Sequence, residues 1–183
     1  MRIAEALMSG FKLRRLAMLM EPEPGNPQEI EGVLNPAAAR GPDGELYVFP
    51  RLVARGNYSR IGIARVRFNE TGDPAGVERL GIALEPEADY ERQPDGGGGC
   101  EDPRIAFVEP LQRYMMTYTA LSPRGPRIAM AISKDLFHWQ RLGLATFADS
   151  PQIVVLEPIN LSLSRRKCFV PVMHFFRGSA EVV

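Results

Sequence analysis

Asn35-Pro36-Ala37-Ala38 and Asp102-Pro103-Arg104-Ile105 stand 67 positions apart, and the same offset recurs along the chain. It carries Leu46-Tyr47-Val48-Phe49 onto Arg113-Tyr114-Met115-Met116, and Arg60-Ile61-Gly62-Ile63-Ala64 onto Arg127-Ile128-Ala129-Met130-Ala131. Each unit then closes on a kindred phrase, Glu78-Arg79-Leu80-Gly81 in the first and Gln140-Arg141-Leu142-Gly143 in the second. Self-similarity at a fixed period marks a repeat architecture. Between the anchors run short segments, residues 45–50, 59–68, 114–120 and 127–133, rich in aromatic and aliphatic side chains. Gly and Pro bound them, so they read as strands, and Asp43-Gly44 reads as a hairpin turn. Strands and turns alone would equally permit an antiparallel sandwich. A repeat of several short strands favours an all-β fold of the β-propeller type.

On this reading residues 1–183 form a single partial propeller domain of two to three blades. The blade-like units run from about 35 to 81 and from about 102 to 143, with an incomplete one from 153. A propeller closes when its last blade meets its first, and even small ones have about four blades. The expectation is therefore an N-terminal portion of a longer protein, truncated or altered in frame, rather than a ring completed by another chain. An open propeller exposes a strand edge, which makes homo-oligomerisation a further possibility and inactivity of the piece by itself another.

The bulk composition narrows the function classes. Lys+Arg and Asp+Glu both number 22, giving a formal net charge of zero and no electrostatic reason to expect nucleic acid or an anionic membrane. Sixteen Pro and 17 Gly fit a chain of many turns, and 45% hydrophobic residues suffice for a core. The cysteines, Cys100 and Cys168, and the histidines, His138 and His174, have no zinc-site spacing. The two cysteines read as free thiols in a reducing cytoplasm, and no metal is expected. Lys12, Arg14 and Arg15 are not followed by a secretory pattern, and no stretch is long enough to span a membrane. The expected location is the cytoplasm.

The residues with chemical potential gather around Asp102. It follows a glycine run, Gly96 to Gly99, that implies either a tight bend or close approach of a ligand. Without a following Lys-Ser/Thr pair or helix start, the run does not read as a phosphate loop. Pro103 predicts an extended Asp102, which would point Glu101 and Asp102 in opposite directions. A lone carboxyl in a cleft screened from water is suited to general-acid work. Arg104, two positions on, would return to the face of Asp102 and either hold the loop or bind sugar hydroxyls. Asn35 is the counterpart of Asp102 in the preceding unit, so both can face one central pocket, and Arg51 is a candidate for that pocket or for a blade surface. Trp139 reads as core rather than sugar platform and His138 as surface. His174 follows a strand-like run and reads either as a core histidine or as a ligand-binding one.

Several phrases together resemble one enzyme family. They are Asn35-Pro36-Ala37, Phe49-Pro50-Arg51, Gly99-Cys100-Glu101-Asp102-Pro103-Arg104, Tyr114-Met115-Met116-Thr117-Tyr118-Thr119-Ala120 and Ala131-Ile132-Ser133-Lys134-Asp135. In this order they are similar to glycoside hydrolase family 130, the β-mannoside phosphorylases and related mannosidases. The resemblance implies a five-bladed propeller with a central funnel-like site. It implies Asp102 as general acid, acting through a hydroxyl of the mannosyl ring, while inorganic phosphate attacks the anomeric carbon with inversion. Phosphate is a co-substrate, and no cofactor is implied. Asn35 and Arg51 would contact the mannosyl unit.

Later segments depart from the family pattern. Asp149-Ser150-Pro151-Gln152 and His174-Phe175-Phe176 stand where basic phosphate-holding residues are expected. Three functions therefore stay open: phosphorolysis of a β-mannosyl oligosaccharide, hydrolysis on the same scaffold, and non-catalytic carbohydrate binding.

Overall fold

The computed structural model describes residues 15–93 and 96–145. The incomplete unit expected from 153, Cys168, His174 and the departing phrases at 149–152 and 174–176 lie outside the described residues. Eight strands are present among them: β1 (Gly32–Arg40), β2 (Leu46–Ala54), β3 (Tyr58–Phe68), β4 (Pro74–Leu84), β5 (Gly98–Val108), β6 (Arg113–Ser122), β7 (Gly125–Ser133) and β8 (Trp139–Leu144). A single 3-10 turn (Glu109–Leu111) separates β5 from β6.

The strands form two meanders. β1 to β4 pair antiparallel in chain order, and β5 to β8 do the same. The two meanders meet in sequence through one short parallel contact, Tyr58 against Gly98 and Ser59 against Gly99. Four-stranded antiparallel meanders packed face to face are propeller blades, and this chain is a partial β-propeller. The hairpins follow from local chemistry. In the β1–β2 turn Asp43 Oδ1 accepts the Glu45 N–H at 3.1 Å, and Gly44 has φ +83°.

The core lies between the blades. β6 alternates perfectly, burying Tyr114, Met116, Tyr118, Ala120 and Ser122 on one face. Tyr114, Met116, Tyr118 and Ala120 meet Tyr47, Phe49, Ile61 and Ile63 of the first blade, together with Cys100 and Leu136. Trp139 packs against this cluster, edge-on to Phe49 with ring centroids 6.1 Å apart, and its indole N–H donates to the Leu136 carbonyl. It is a core residue, whereas His138 is exposed. Cys100 is a fully buried free thiol, and burial pushes its pKa up, away from the thiolate form.

The glycine run before Asp102 is explained by the crossing of the blades. Gly98 (φ +75°) and Gly99 (φ +107°) both adopt backbone closed to L side chains. A Cβ on Gly98 would sit 2.6 Å from the Leu121 carbonyl oxygen, and one on Gly99 would overlap the Ser59 carbonyl. Gly98 lets β5 lie close against β6, and Gly99 lets it lie close against β3; both approaches are of backbone to backbone.

Candidate active site

Pairing in β1 and β5 breaks at the same place in the repeat. The register shifts between Leu34 and Ala37 in β1 and between Glu101 and Arg104 in β5. At each break one residue takes positive φ, Asn35 at +41° and Asp102 at +49°. Each strand therefore carries a β-bulge that aims one short polar side chain away from the ladder. Asn and Asp are the residue types that tolerate this conformation best after Gly. The expectation of an extended Asp102 is thus corrected: the bulge overrides the bias of Pro103.

The two bulges meet. Asn35 Nδ2 donates to Asp102 Oδ1 at 3.0 Å, across 67 residues of chain. Arg51, midway along β2, reaches the same oxygen with one terminal nitrogen at 3.4 Å. Its other terminal nitrogen donates to Glu101 Oε1 at 2.8 Å and to Asn57 Oδ1 at 3.0 Å, and its Nε donates to Ser59 Oγ at 2.9 Å. The guanidinium is thereby held on every nitrogen. Both recorded contacts to Asp102 fall on Oδ1, and Oδ2 has no partner among the described residues.

Glu101 is the residue that sequence reasoning passed over. It was expected to point away from Asp102, yet the bulge brings both carboxylates onto Arg51. Burial lifts its carboxyl above the ordinary range; Arg51 opposes that shift and Asp102 adds to it. The Glu101 side chain is 11% exposed and Asp102 29%, so Asp102 is the one accessible to a ligand. The signal was adjacency to Asp102, concealed by counting strand faces without a bulge.

Arg104 pairs in register with Thr117, and its guanidinium turns back to donate to the Pro103 carbonyl at 2.7 Å. Among the described residues it makes no hydrogen bond to Asp102, so it does not hold that carboxylate. Ser133-Lys134-Asp135 forms the β7–β8 turn. Asp135 Oδ1 accepts the backbone N–H groups of Phe137 and His138, each at 2.9 Å, while Oδ2 contacts His138 Nδ1 at 2.7 Å.

A second pair of constellations ties each blade at its outer side. Glu29 and Glu91 are buried, at 1% and 0% exposure. Arg79 on β4 donates Nε to Glu29 Oε1 at 3.0 Å, and Arg141 on β8 donates Nε to Glu91 Oε1 at 2.9 Å. Burial raises the Glu91 carboxyl, but bonds from Arg141, Tyr118 and the backbone N–H groups of Ala88 and Glu87 outweigh it, so the net shift is downward. The arginines stand in the closing phrases of the two repeats, and both members of the pair share an offset of 62.

The model of a protein family described as beta-1,4-mannooligosaccharide phosphorylase, glycoside hydrolase family 130, matches residues 13–179. The chain belongs to this family. Among solved structures, a proposed glycoside hydrolase of Parabacteroides distasonis is 31% identical, with a TM-score of 0.57, over 71% of this chain and 40% of that one. A structure described with family 130 glycoside hydrolases that target β-1,2-mannosidic linkages in Candida mannan is 28% identical, with a TM-score of 0.53, over 76% and 45%. The β-1,2-mannobiose phosphorylase of Listeria innocua, 17% identical over 72% and 50%, has a TM-score of 0.54 and shares the fold. Among curated proteins none matches the chain. The chain spans half or less of the length of these solved relatives. No helix among the described residues is long and apolar enough to cross a membrane.

Proposed function

We propose that the protein acts on β-linked mannosides as a glycoside phosphorylase, with Asp102 as general acid. The observation that carries this reading is the convergence of Asn35, Arg51 and Asp102 on one oxygen, in a chain of family 130. Asn35 and Arg51 fix Oδ1 and leave Oδ2 to carry the proton. That proton passes through a hydroxyl of the mannosyl ring to the glycosidic oxygen as its bond to the anomeric carbon breaks. A phosphate oxygen forms the new bond to that carbon from the opposite face, giving mannose 1-phosphate with inverted configuration. Phosphate is already a nucleophile, so no second carboxylate is required as base. Asn35 and Arg51 also border the mannosyl position, and Arg104 lines its approach. His174, outside the described residues, is kept as a ligand-binding candidate on the strand-like run that precedes it.

Incubating the full-length protein with β-mannobiose or mannosyl-glucose, with and without phosphate, tests the assignment. Mannose 1-phosphate is expected only with phosphate. Its absence under every condition sinks the phosphorylase reading.

Hydrolysis is the second reading, and a specific observation favours it. The solved relatives with the higher identities include a proposed glycoside hydrolase and a structure tied to hydrolases of β-1,2-mannosidic linkages, whereas the phosphorylase is 17% identical. Here water replaces phosphate and needs a general base. Free mannose released at an unchanged rate without phosphate selects this reading. Binding without turnover of either kind selects a carbohydrate-binding module instead.

A further inference from the structure

We propose that Glu101 is a positioning residue, which engages the Arg51 guanidinium so that Asp102 can keep a transferable proton on its free oxygen. The inference rests on the reading of Asp102 as general acid. A general acid must hold its proton near neutral pH. An arginine beside it works against this, because an unneutralised guanidinium favours the charged form of a nearby carboxyl. The site contains such an arginine, tethered where it cannot swing away: Ser59 and Asn57 anchor it from the β3 side.

The geometry shows how the conflict is resolved. Arg51 makes its short contact, 2.8 Å, to Glu101 and its long one, 3.4 Å, to Asp102. Glu101 is also the more enclosed carboxylate, so its attraction to the guanidinium is less screened by water. Ser59 sits between the partners, accepting from Arg51 and donating to Glu101 Oε1 at 3.4 Å. The groups facing Asp102 are Asn35 from β1, which is uncharged, Arg51 from β2, and Glu101 on its own strand β5. Arg104, also on β5, is turned to the Pro103 carbonyl. With Glu101 in place, the guanidinium makes its shorter contact to that carboxylate and its longer one to Asp102. Without it, Asp102 becomes the only carboxylate bonded to Arg51 among the described residues.

The test is the pH profile of kcat/KM for the full-length enzyme on β-mannobiose with phosphate. Glu101→Gln keeps an acceptor for Arg51 but removes the charge. The basic limb of the profile is expected to move about 1–3 units toward lower pH. Glu101→Asp restores the charge and is expected to return the limb toward the parent position. Ser59→Ala keeps both carboxylates in the chain but removes the hydroxyl that bonds Arg51 and Glu101, and is expected to give a smaller shift in the same direction. Should the Glu101 variants fail to fold, this serine variant decides, since an unmoved limb there counts against the proposal. A folded Glu101→Gln variant with an unmoved basic limb overturns it outright. Asp102→Asn separates the two levels. Retained turnover in that variant removes the acid assignment itself, whereas an inactive Asp102→Asn beside an unmoved Glu101→Gln limb removes only the role of Glu101.

Discussion

The two blades are built on one backbone plan and differ in what they place on it. Offset by 67, β1, β2 and β3 begin where β5, β6 and β7 begin minus their own shifts of zero or one residue. The inner bulges coincide, Asn35 with Asp102, and the outer ties, Glu29–Arg79 and Glu91–Arg141, correspond at an offset of 62. The contrast lies in the side chains. The bulge of the first blade offers a neutral amide and that of the second an acid. Likewise Arg51 in β2 corresponds to Tyr118 in β6, a charged site residue against a buried one. Repetition supplies the geometry, and departure from the repeat supplies the chemistry.

Erasing that departure should have the largest effect. Asp102→Asn gives the second blade the first blade's side chain, and Asn tolerates the positive φ of the bulge. The fold is expected to survive while turnover falls by about 10²–10⁴-fold, the usual contribution of a general acid. Unchanged melting behaviour with lost activity supports the comparison. A loss of folding would mean that the carboxylate is structural.

The outer ties allow the next comparison. Glu91 takes bonds from Arg141, Tyr118 and two backbone N–H groups, whereas Glu29 is bonded by Arg79 and Asn26. Arg79 is also more exposed than Arg141, 34% against 20%. Breaking a buried ion pair costs about 3–5 kcal/mol when the surviving charge is stranded; Arg141 keeps Glu87 at 3.0 Å, which places Glu91→Gln at the lower end. Glu91→Gln is expected to fall in that range by urea denaturation, and Glu29→Gln clearly below it. Equal losses would show that the blades are tied with equal strength.

The same pair has a pH signature. The Glu91 carboxyl lies below its ordinary value in the folded chain, so between the two values the unfolded chain binds more protons. The stability it contributes is complete above the ordinary value of 4.5 and is lost as pH falls through the lowered one. Stability measured from pH 6 downward should therefore fall less steeply in Glu91→Gln than in the parent protein; parallel curves would remove Glu91 from the acid response.

Much of this plan was legible from residues. The 67-residue offset placed Asn35 and Asp102 at one repeat position, and their side chains do meet. The strand at 114–120 and the Asp43-Gly44 turn also declared themselves locally. What was hidden depends on pairing between distant segments. A bulge is a mismatch between two strands, so no property of Pro103 alone reveals that Asp102 leaves the extended region and brings Glu101 to Arg51. Glu29 and Glu91 are ordinary charged residues by sequence, and only the packing of β4 and β8 above them shows that they are buried. The Gly98-Gly99 pair signalled a constraint but not its source, because the obstructing carbonyls belong to Ser59 and Leu121.

That pair yields the smallest and sharpest contrast. Gly99 and Gly32 occupy the same repeat position, two residues before the bulge pair begins to break register. At Gly99 a Cβ meets both a positive φ and the Ser59 backbone, so Gly99→Ala is expected to cost about 2–4 kcal/mol. At Gly32 the φ is ordinary, and the nearest atoms, 3.4–3.6 Å away, belong to the flexible Leu34 side chain. Gly32→Ala is expected to change stability by less than about 1 kcal/mol, with a gain as permissible as a loss because alanine restricts the unfolded chain. Comparing the two denaturation midpoints isolates one cause. The requirement for glycine comes from β5 crossing β3, a crossing for which β1 has no described equivalent; similar losses at both positions would instead trace it to the strand ends themselves.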